Sequence, residues 1–547
     1  MCDHAGVLIA ASISSIGVRF GSGARRSFQH WYEGEGSLLD GGLGLNAHGH
    51  RNAMTNITGR LVKGSMWLSL SRVIVNGLAT LSTFVLAWYL APSDFGLVAL
   101  ATTMLLIVDT VTQLSLSEAL IRHSAPDRSH FSAAWTLNAT RGLLLGLLFA
   151  ACAYPASVLF EEPRLSGVML ALGLSIVLGG LTNPRRIMLQ RDLIFWQEFV
   201  LAVSQKLTGF VAAVAIAMIY HSYWALVIGT LVSQATNVIV SYLVLPFRPS
   251  ITFRHMKEFF SFSAWLTAGQ IVNTLNWRFD YLLVGKMLGG TSLGYYSVGS
   301  NLAMMPTREA TAPLTQTIYP GFSSIRDDPA RLAAAYQRVQ ALVAAVALPA
   351  GIGVAVVADP LVRLTLGEKW VPIIFIVQSL ASVFALQTLG SLVQPLGMAK
   401  GETRLLFIRD AQMLCVRVPV MIAGLLLGGL QGVVIGRVFT GLFSAFVNMI
   451  LVKRFIGVTV LKQLSANVRA LASIVVMAAG VSLALSHMVQ TDDKFALATQ
   501  LAALAGLGAF LYCGTSFLLW TLMKRPAGPE TEVWQILGKV LAKVRPA

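Results

Sequence analysis

Residues 89–100 read YLAPSDFGLVAL and residues 287–298 read MLGGTSLGYYSV. Each stretch ends one apolar run and begins the next, and Gly96 stands opposite Gly294 at an offset of 198. Two more matches keep the same order. LGGLTNP (178–184) pairs with LGSLVQP (389–395) at 211, and ALVIG (225–229) with GVVIG (432–436) at 207. Each match alone is weak, because Gly and Leu are common. Three in one order at nearly constant spacing describe an internal duplication, and such duplications decide the architecture before any single element does.

The material between the matches is apolar. Of 547 residues, 55% are hydrophobic and 12% are charged, against about 25% charged in an ordinary soluble domain. A span needs roughly 20 apolar residues. Scanning from Gly64 gives fourteen candidates, at 66–90, 95–116, 132–158, 165–183, 198–219, 223–245, 259–288, 293–319, 336–358, 371–393, 405–428, 430–452, 468–487 and 495–522. The expected fold is therefore an all-α polytopic membrane protein.

The net charge of +16 is a topological signal. With the N-terminus inside, 22 Lys and Arg residues fall in cytoplasmic segments and 5 on the other side, the asymmetry that orients membrane proteins. The chain is thus expected to be multi-pass with both termini cytoplasmic. The basic residues are scattered between apolar runs and do not form a folded basic face, so nucleic acid is not an expected partner. Cys2, Cys152, Cys415 and Cys513 have neither CxxC nor Cys/His spacing, so no disulfide framework or metal site is expected.

The duplicated unit contains six spans. Six is even, so both copies enter the membrane in the same direction, and repeats of this kind place a substrate site between lobes near the midplane. The domains expected are an N-terminal lobe (54–245), a C-terminal lobe (246–452), two appended spans (453–522) and a cytoplasmic amphipathic tail (523–547). Residues 1–53, rich in Gly, Ser and His, are expected to be a disordered tail or a misassigned start.

Charges inside spans are costly, about 2.5–3.5 kcal/mol each at a helix centre on insertion scales, and mark candidate sites. Eight cations (Arg72, Arg141, Lys206, Arg278, Arg308, Arg409, Arg417, Arg437) stand against Asp109, Asp280, Glu309 and Asp410. A net positive interior attracts phosphate and repels cationic drugs, and arginine offers phosphate a bidentate fork. Helical spacing puts Arg72 and Asn76 on one polar stripe, and Asn273 and Asp280 on another. The candidate cavity residues are Arg72, Asn76, Asp109, Arg141, Asn273, Arg278, Asp280, Arg308, Glu309 and Arg437, with Asp280 and Glu309 expected to hold neighbouring arginines in place. The neutral stripes read equally well as glue between helices.

The runs LAPSDFGLVALATTM with QLSLSEALIR, and RFDYLLVGKMLGGTSLGYYSVGSNLAMMP with IYPGFSSI, resemble the polysaccharide-transport branch of the multidrug/oligosaccharidyl-lipid/polysaccharide exporter superfamily. Within it the chain is most similar to succinoglycan-type exopolysaccharide transport proteins and O-antigen flippases, from about Met54 to Leu522. The resemblance implies two lobes around a central cavity of alternating access in the bacterial inner membrane. It implies a flippase, not an enzyme, that carries undecaprenyl-pyrophosphate-linked oligosaccharide repeat units to the periplasmic leaflet for exopolysaccharide or lipopolysaccharide synthesis. A polysaccharide polymerase and a chain-length regulator are the partners expected from it. No GxxxxGK[ST] occurs, so no nucleotide cofactor is expected. Two alternatives stay open: a membrane polymerase or ligase, which would carry a long extracytoplasmic loop, and a cation-coupled drug exporter, which would carry an acidic cavity.

Overall fold

The computed structural model describes residues 47–112, 120, 127–191, 195–253, 264–488, 493–526, 528–532 and 534–535, and all their regular structure is helical. The first lobe holds α1 (Ala47–Tyr89), α2 (Pro92–Val111), α3 (Arg128–Ala151), α4 (Arg164–Gly180), α5 (Phe195–Tyr220) and α6 (Trp224–Val244). The second holds α7 (Ala264–Ser324), α8 (Pro329–Val356), α9 (Ile374–Gln387) and α10 (Thr403–Ile456). Two helices follow, α11 (Val468–His487) and α12 (Lys494–Leu522).

Two of these helices are hairpins. α7 breaks at Gly289, whose φ is 78°, a conformation open to glycine because it lacks a Cβ. The arms fold back on each other, so the rings of Tyr281 and Tyr296 lie 5.4 Å apart. α10 breaks at Gly428 and Gly429, and its arms cross so closely that a Cβ on Gly432 would stand 1.9 Å from the Gly424 carbonyl oxygen. These hairpins correspond to the expected pairs of spans at 259–319 and 405–452.

By length and composition ten described segments can cross a membrane. The expected fourteen become ten by this measure because the α10 hairpin, two expected spans, counts as one segment, and because one span of α4 and two of α7 fall below it. α4 has only 17 residues, and α7 carries Arg278, Asp280, Arg308 and Glu309, which lower its apolarity. Leu144, Leu147, Leu243 and Leu427 point outward and are exposed, as they can be where the solvent is lipid.

Loop chemistry sets the helix starts. Asp127 caps α3 by accepting from Ser129 N and His130 N at 2.9 and 3.0 Å, and Pro92 and Pro329 fill first-turn positions where no N–H partner is needed. α1 begins at Ala47, inside the stretch set aside from the fold, while residues 1–46 lie outside the described residues. The tail after α12 folds back over its described part. Glu530 pairs with Arg469 of α11 at 3.3 Å and Glu532 with Arg338 of α8 at 2.5 Å; residues 536–547 lie outside the description.

The lobes meet at the end where α1 gives way to α2. Here α2 crosses the second arm of α7 backbone to backbone, since a Cβ on Gly96 would come within 1.8 Å of the Gly290 oxygen. A core of Leu97, Leu100, Val168, Leu172, Val284, Leu293 and Leu380 runs through the contact without interruption. The last carbonyls of α1 have no partner within their helix. Lys369 Nζ donates to those of Trp88 and Leu90 at 2.8 and 2.9 Å, and Trp370 Nε1 to that of Ala87 at 3.0 Å. Lys286 adds an ion pair to Glu161 at 2.8 Å. This end is closed.

Candidate functional site

Away from the closed end the polar residues gather in three places. The first is the seam where α1 meets the second arm of α7. Asn76 Nδ2 donates to Glu309 Oε2 at 2.5 Å, Arg308 Nε donates to Glu309 Oε1 at 3.1 Å, and Thr80 reaches the Met305 sulfur at 3.2 Å. Arg72 lies one turn before Asn76 on the same stripe. The spacing Arg72, Asn76, Thr80 thus forms a polar edge, as expected from the sequence, and it faces the other lobe.

The second place is inside the first lobe. Arg141 of α3 donates to the Asp109 carboxylate at 2.5 Å, to the Asp109 carbonyl at 3.0 Å and to Thr112 Oγ1 at 3.3 Å. Polar residues of α6 are also consumed locally. Arg186 donates to Asn237 Oδ1 at 3.1 Å while paired with Glu198 at 2.5 Å, and Asn183 hydrogen-bonds Ser241. These contacts tie α2 to α3 and the 183–186 turn to α5 and α6, and Asp109 and Arg141 pair with each other beside the point where Thr110 of α2 meets Thr274 of α7 at 3.2 Å.

The third place is a cavity of about 270 Å³ in the second lobe, walled by both arms of α7, by α9 and the turn after it, and by both arms of α10. Asn273, Arg308, Gln387, Ser391, Arg417 and Asn448 stand in its wall. Beside it lies a buried network. The Asp280 carboxylate accepts from Tyr296 Oη at 2.5 Å and sits 3.8 Å from Arg437 Nε. The Arg437 guanidinium lies over the rings of Trp277 and Phe384 at 4.9 and 5.8 Å, where the negative ring faces favour a cation. Arg417 donates to the Asn276 carbonyl, and Asn276 Nδ2 to that of Asp410 at 2.8 Å.

Arg278 and Asp280 take different directions. Residues two apart on a helix point to opposite sides, so when Asp280 turns into the lobe Arg278 turns away and lies over the Tyr281 ring at 5.2 Å. Of the ten candidates, Asn273 and Arg308 line the cavity. Asp280 and Arg437 form its buried support, Asn76 and Glu309 bridge the seam, and Arg72 lies beside it. Asp109 with Arg141, and Arg278, stand elsewhere. Sequence reasoning counted Arg417, Arg409 and Asp410 as interior charges without choosing them, and it missed Gln387 and Tyr296, because single polar residues in apolar runs carry no periodic signal.

Buried donors are left over. Arg417 is 5% and Arg437 2% exposed, yet Arg417 Nε and Arg437 Nη1 have no hydrogen-bond partner. No cluster of His, Cys, Asp and Glu that could hold a metal ion occurs among the described residues.

Residues 85–375 match a family model described as "Polysaccharide biosynthesis protein". The chain is 24% identical over 403 residues to the lipopolysaccharide biosynthesis protein WzxC of Escherichia coli (strain K12), which covers 73% of this chain and 82% of WzxC. It is 22% identical over 308 residues to the succinoglycan biosynthesis transport protein ExoT of Rhizobium meliloti (strain 1021), covering 56% of this chain and 62% of ExoT. Among solved structures it is similar to the lipid II flippase MurJ in its inward closed conformation. The TM-score is 0.67 at 15% identity, over 85% of this chain and 100% of MurJ. At that identity the likeness speaks for the fold alone.

Proposed function

Because this chain belongs to the polysaccharide biosynthesis protein family, we propose that it flips a lipid-linked oligosaccharide, carried on undecaprenyl pyrophosphate, from the cytoplasmic to the periplasmic leaflet of the inner membrane. The chain is a multi-pass membrane protein of the flippase-type transporters that serve polysaccharide synthesis. The finer reading is supported by one observation above the rest. The groups around the seam and the second-lobe cavity are five guanidinium groups, of Arg72, Arg308, Arg409, Arg417 and Arg437, against three carboxylates, of Glu309, Asp410 and Asp280. Such a surplus suits an anionic headgroup.

In this reading the pyrophosphate is held where Arg72 and Arg308 stand beside the seam, the sugars enter the space between the lobes, and the polyprenyl chain stays in lipid. Rocking of one lobe against the other then opens the end that is closed by Gly96 and Gly294 and closes the opposite one. Both termini are cytoplasmic, and the flipped unit is handed to a polymerase and a chain-length regulator. A cation-coupled drug exporter would need an acidic interior, which these charges oppose.

The reading is tested in proteoliposomes loaded with a fluorescent polyprenyl-pyrophosphate oligosaccharide, with exposure of the sugar followed by a lectin that cannot enter. Wild type equilibrates the sugar between leaflets, and the Arg72→Ala/Arg308→Ala double variant slows this by about tenfold or more, the scale of losing one charge-assisted contact. Equal rates with and without protein contradict the proposal.

A further inference from the structure

On the cavity wall and in its buried support the cation surplus resolves to one residue. Arg308 pairs with Glu309 at 3.1 Å, Arg409 with Asp410 at 2.7 Å, and Arg437 with Asp280 at 3.8 Å. Arg417 remains. It lines the cavity, is 5% exposed, makes no ion pair with a described carboxylate, spends one nitrogen on the Asn276 carbonyl and leaves Nε unpartnered. Removing a charge from water is costly unless it is paired and hydrogen-bonded. The neighbouring carboxylates, Asp280 and Asp410, are already paired with Arg437 and Arg409, so the Arg417 guanidinium is half of an ion pair whose other half arrives with a ligand.

The rest of the wall describes that ligand. Asn273, Gln387 and Asn448 present carboxamides, Ser391 and Ser444 hydroxyls, and Trp277 an aromatic ring. Amides and hydroxyls both donate and accept, as sugar hydroxyls do, and a ring face suits the C–H face of a pyranose. The volume, about 270 Å³, lies just below the roughly 300–1,000 Å³ of sites for drug-sized ligands, so it holds a sugar residue and not a whole repeat unit. A single unpaired guanidinium balances one negative charge, as on a carboxylate that its planar fork can grip with two hydrogen bonds, whereas a pyrophosphate brings more than one.

We infer that the second-lobe cavity is a saccharide subsite that takes one carboxylate-bearing pyranose of the translocated oligosaccharide, with Arg417 as the partner of its carboxylate. The inference rests on the flippase reading and adds a substrate class to it. Arg308, on the cavity wall and at the seam, stands between the sugar subsite and the position assigned to the pyrophosphate.

The test uses the full chain in lipid nanodiscs and saturation-transfer NMR with methyl β-D-glucuronide and methyl β-D-glucoside, with inorganic pyrophosphate as competitor. Wild type binds the glucuronide about tenfold more tightly than the glucoside, the scale of one charge-assisted pair. Arg417→Gln brings the glucuronide down to the glucoside, and Asn448→Ala weakens both. Should Arg417→Gln fail to fold, Ser444→Asp, which places a carboxylate in the same wall, removes the preference. Equal binding of the two sugars by wild type, binding of neither, or a preference that survives the variants overturns the inference. Displacement of the glucuronide by equimolar pyrophosphate also overturns it, and assigns Arg417 to phosphate. None of these outcomes touches the flippase reading, which fails separately if the proteoliposomes show no transfer.

Discussion

Gly96 and Gly294, equivalent positions of the internal repeat, lie against each other: a Cβ built on Gly96 would stand 2.9 Å from the Gly294 nitrogen, and one on Gly294 would stand 1.8 Å from the Pro92 carbonyl oxygen. The absence of two side chains lets this end of the molecule close.

Gly96→Val and Gly294→Val each force backbone apart, since the atoms they meet are carbonyl and amide atoms with no freedom to turn aside. The loss should be at the upper end of, or beyond, the about 1–3 kcal/mol typical of overpacking. It is read as a lowered thermal midpoint in detergent. Disulfide cross-linking between cysteines placed at Ser93 and Gly290 should fall in the same variants. Unchanged cross-linking would mean that this end does not depend on the glycine contact.

Asp280 neutralises the buried Arg437 and accepts the Tyr296 hydroxyl. Asp280→Asn leaves a guanidinium that is 2% exposed without a counter-charge, and such a loss costs about 3–5 kcal/mol. Tyr296→Phe removes one hydrogen bond to a charged group and costs about 1–3 kcal/mol. Thermal unfolding of the single variants and of Asp280→Asn/Arg437→Gln separates these terms: the double variant should be more stable than Asp280→Asn alone.

The seam contact between Asn76 and Glu309 joins the two lobes directly. Cysteines at both positions should form a disulfide under oxidation, stop transport in proteoliposomes, and release it when reduced. Full transport by the oxidised protein would show that these helices need not separate.

Glu161 lies in the loop before α4, and its hydrogen bond and charge interaction with Lys286 hold its pKa below the ordinary 4.5. A carboxylate with a depressed folded pKa contributes fully above its ordinary value and loses that contribution as pH falls through the lowered one. The ion pair at the closed end should thus be intact from neutral pH down past 4.5 and fail only in stronger acid. Glu161→Gln should abolish the acid-sensitive phase of cross-linking at this end, and a phase that persists in the variant belongs to another group.

The helical membrane fold was legible in the sequence because lipid imposes long apolar runs, and the expected duplication pairs Gly96, Gly179 and Gly229 with Gly294, Gly390 and Gly436. The hairpins at Gly289 and Gly429 were legible as paired spans, and the charges counted inside α7 are what keep it below the apolarity of an ordinary span. The site was legible only in part. A stripe such as Arg72, Asn76 and Thr80 announces a polar face, but the sequence does not say whether that face meets a ligand or another helix. The pairing of Asp280 with Arg437, and the lack of one for Arg417, depend on α7 meeting α10 across more than a hundred residues, and no local pattern encodes that. Arg278 and Asp280 look like one feature in the sequence and become two in the fold, because helical geometry turns them apart.

The most direct measurement of the central claim is made in cells that lack this protein but keep their glycosyltransferases, by assaying the sidedness of the lipid-linked oligosaccharide in spheroplasts. The account predicts that it is stranded on the inner leaflet, that wild type restores its export, and that the Arg72→Ala/Arg308→Ala variant does not although it inserts normally. If the oligosaccharide reaches the outer leaflet without the protein and only its polymerisation stops, the flippase account is contradicted and a polymerase takes its place.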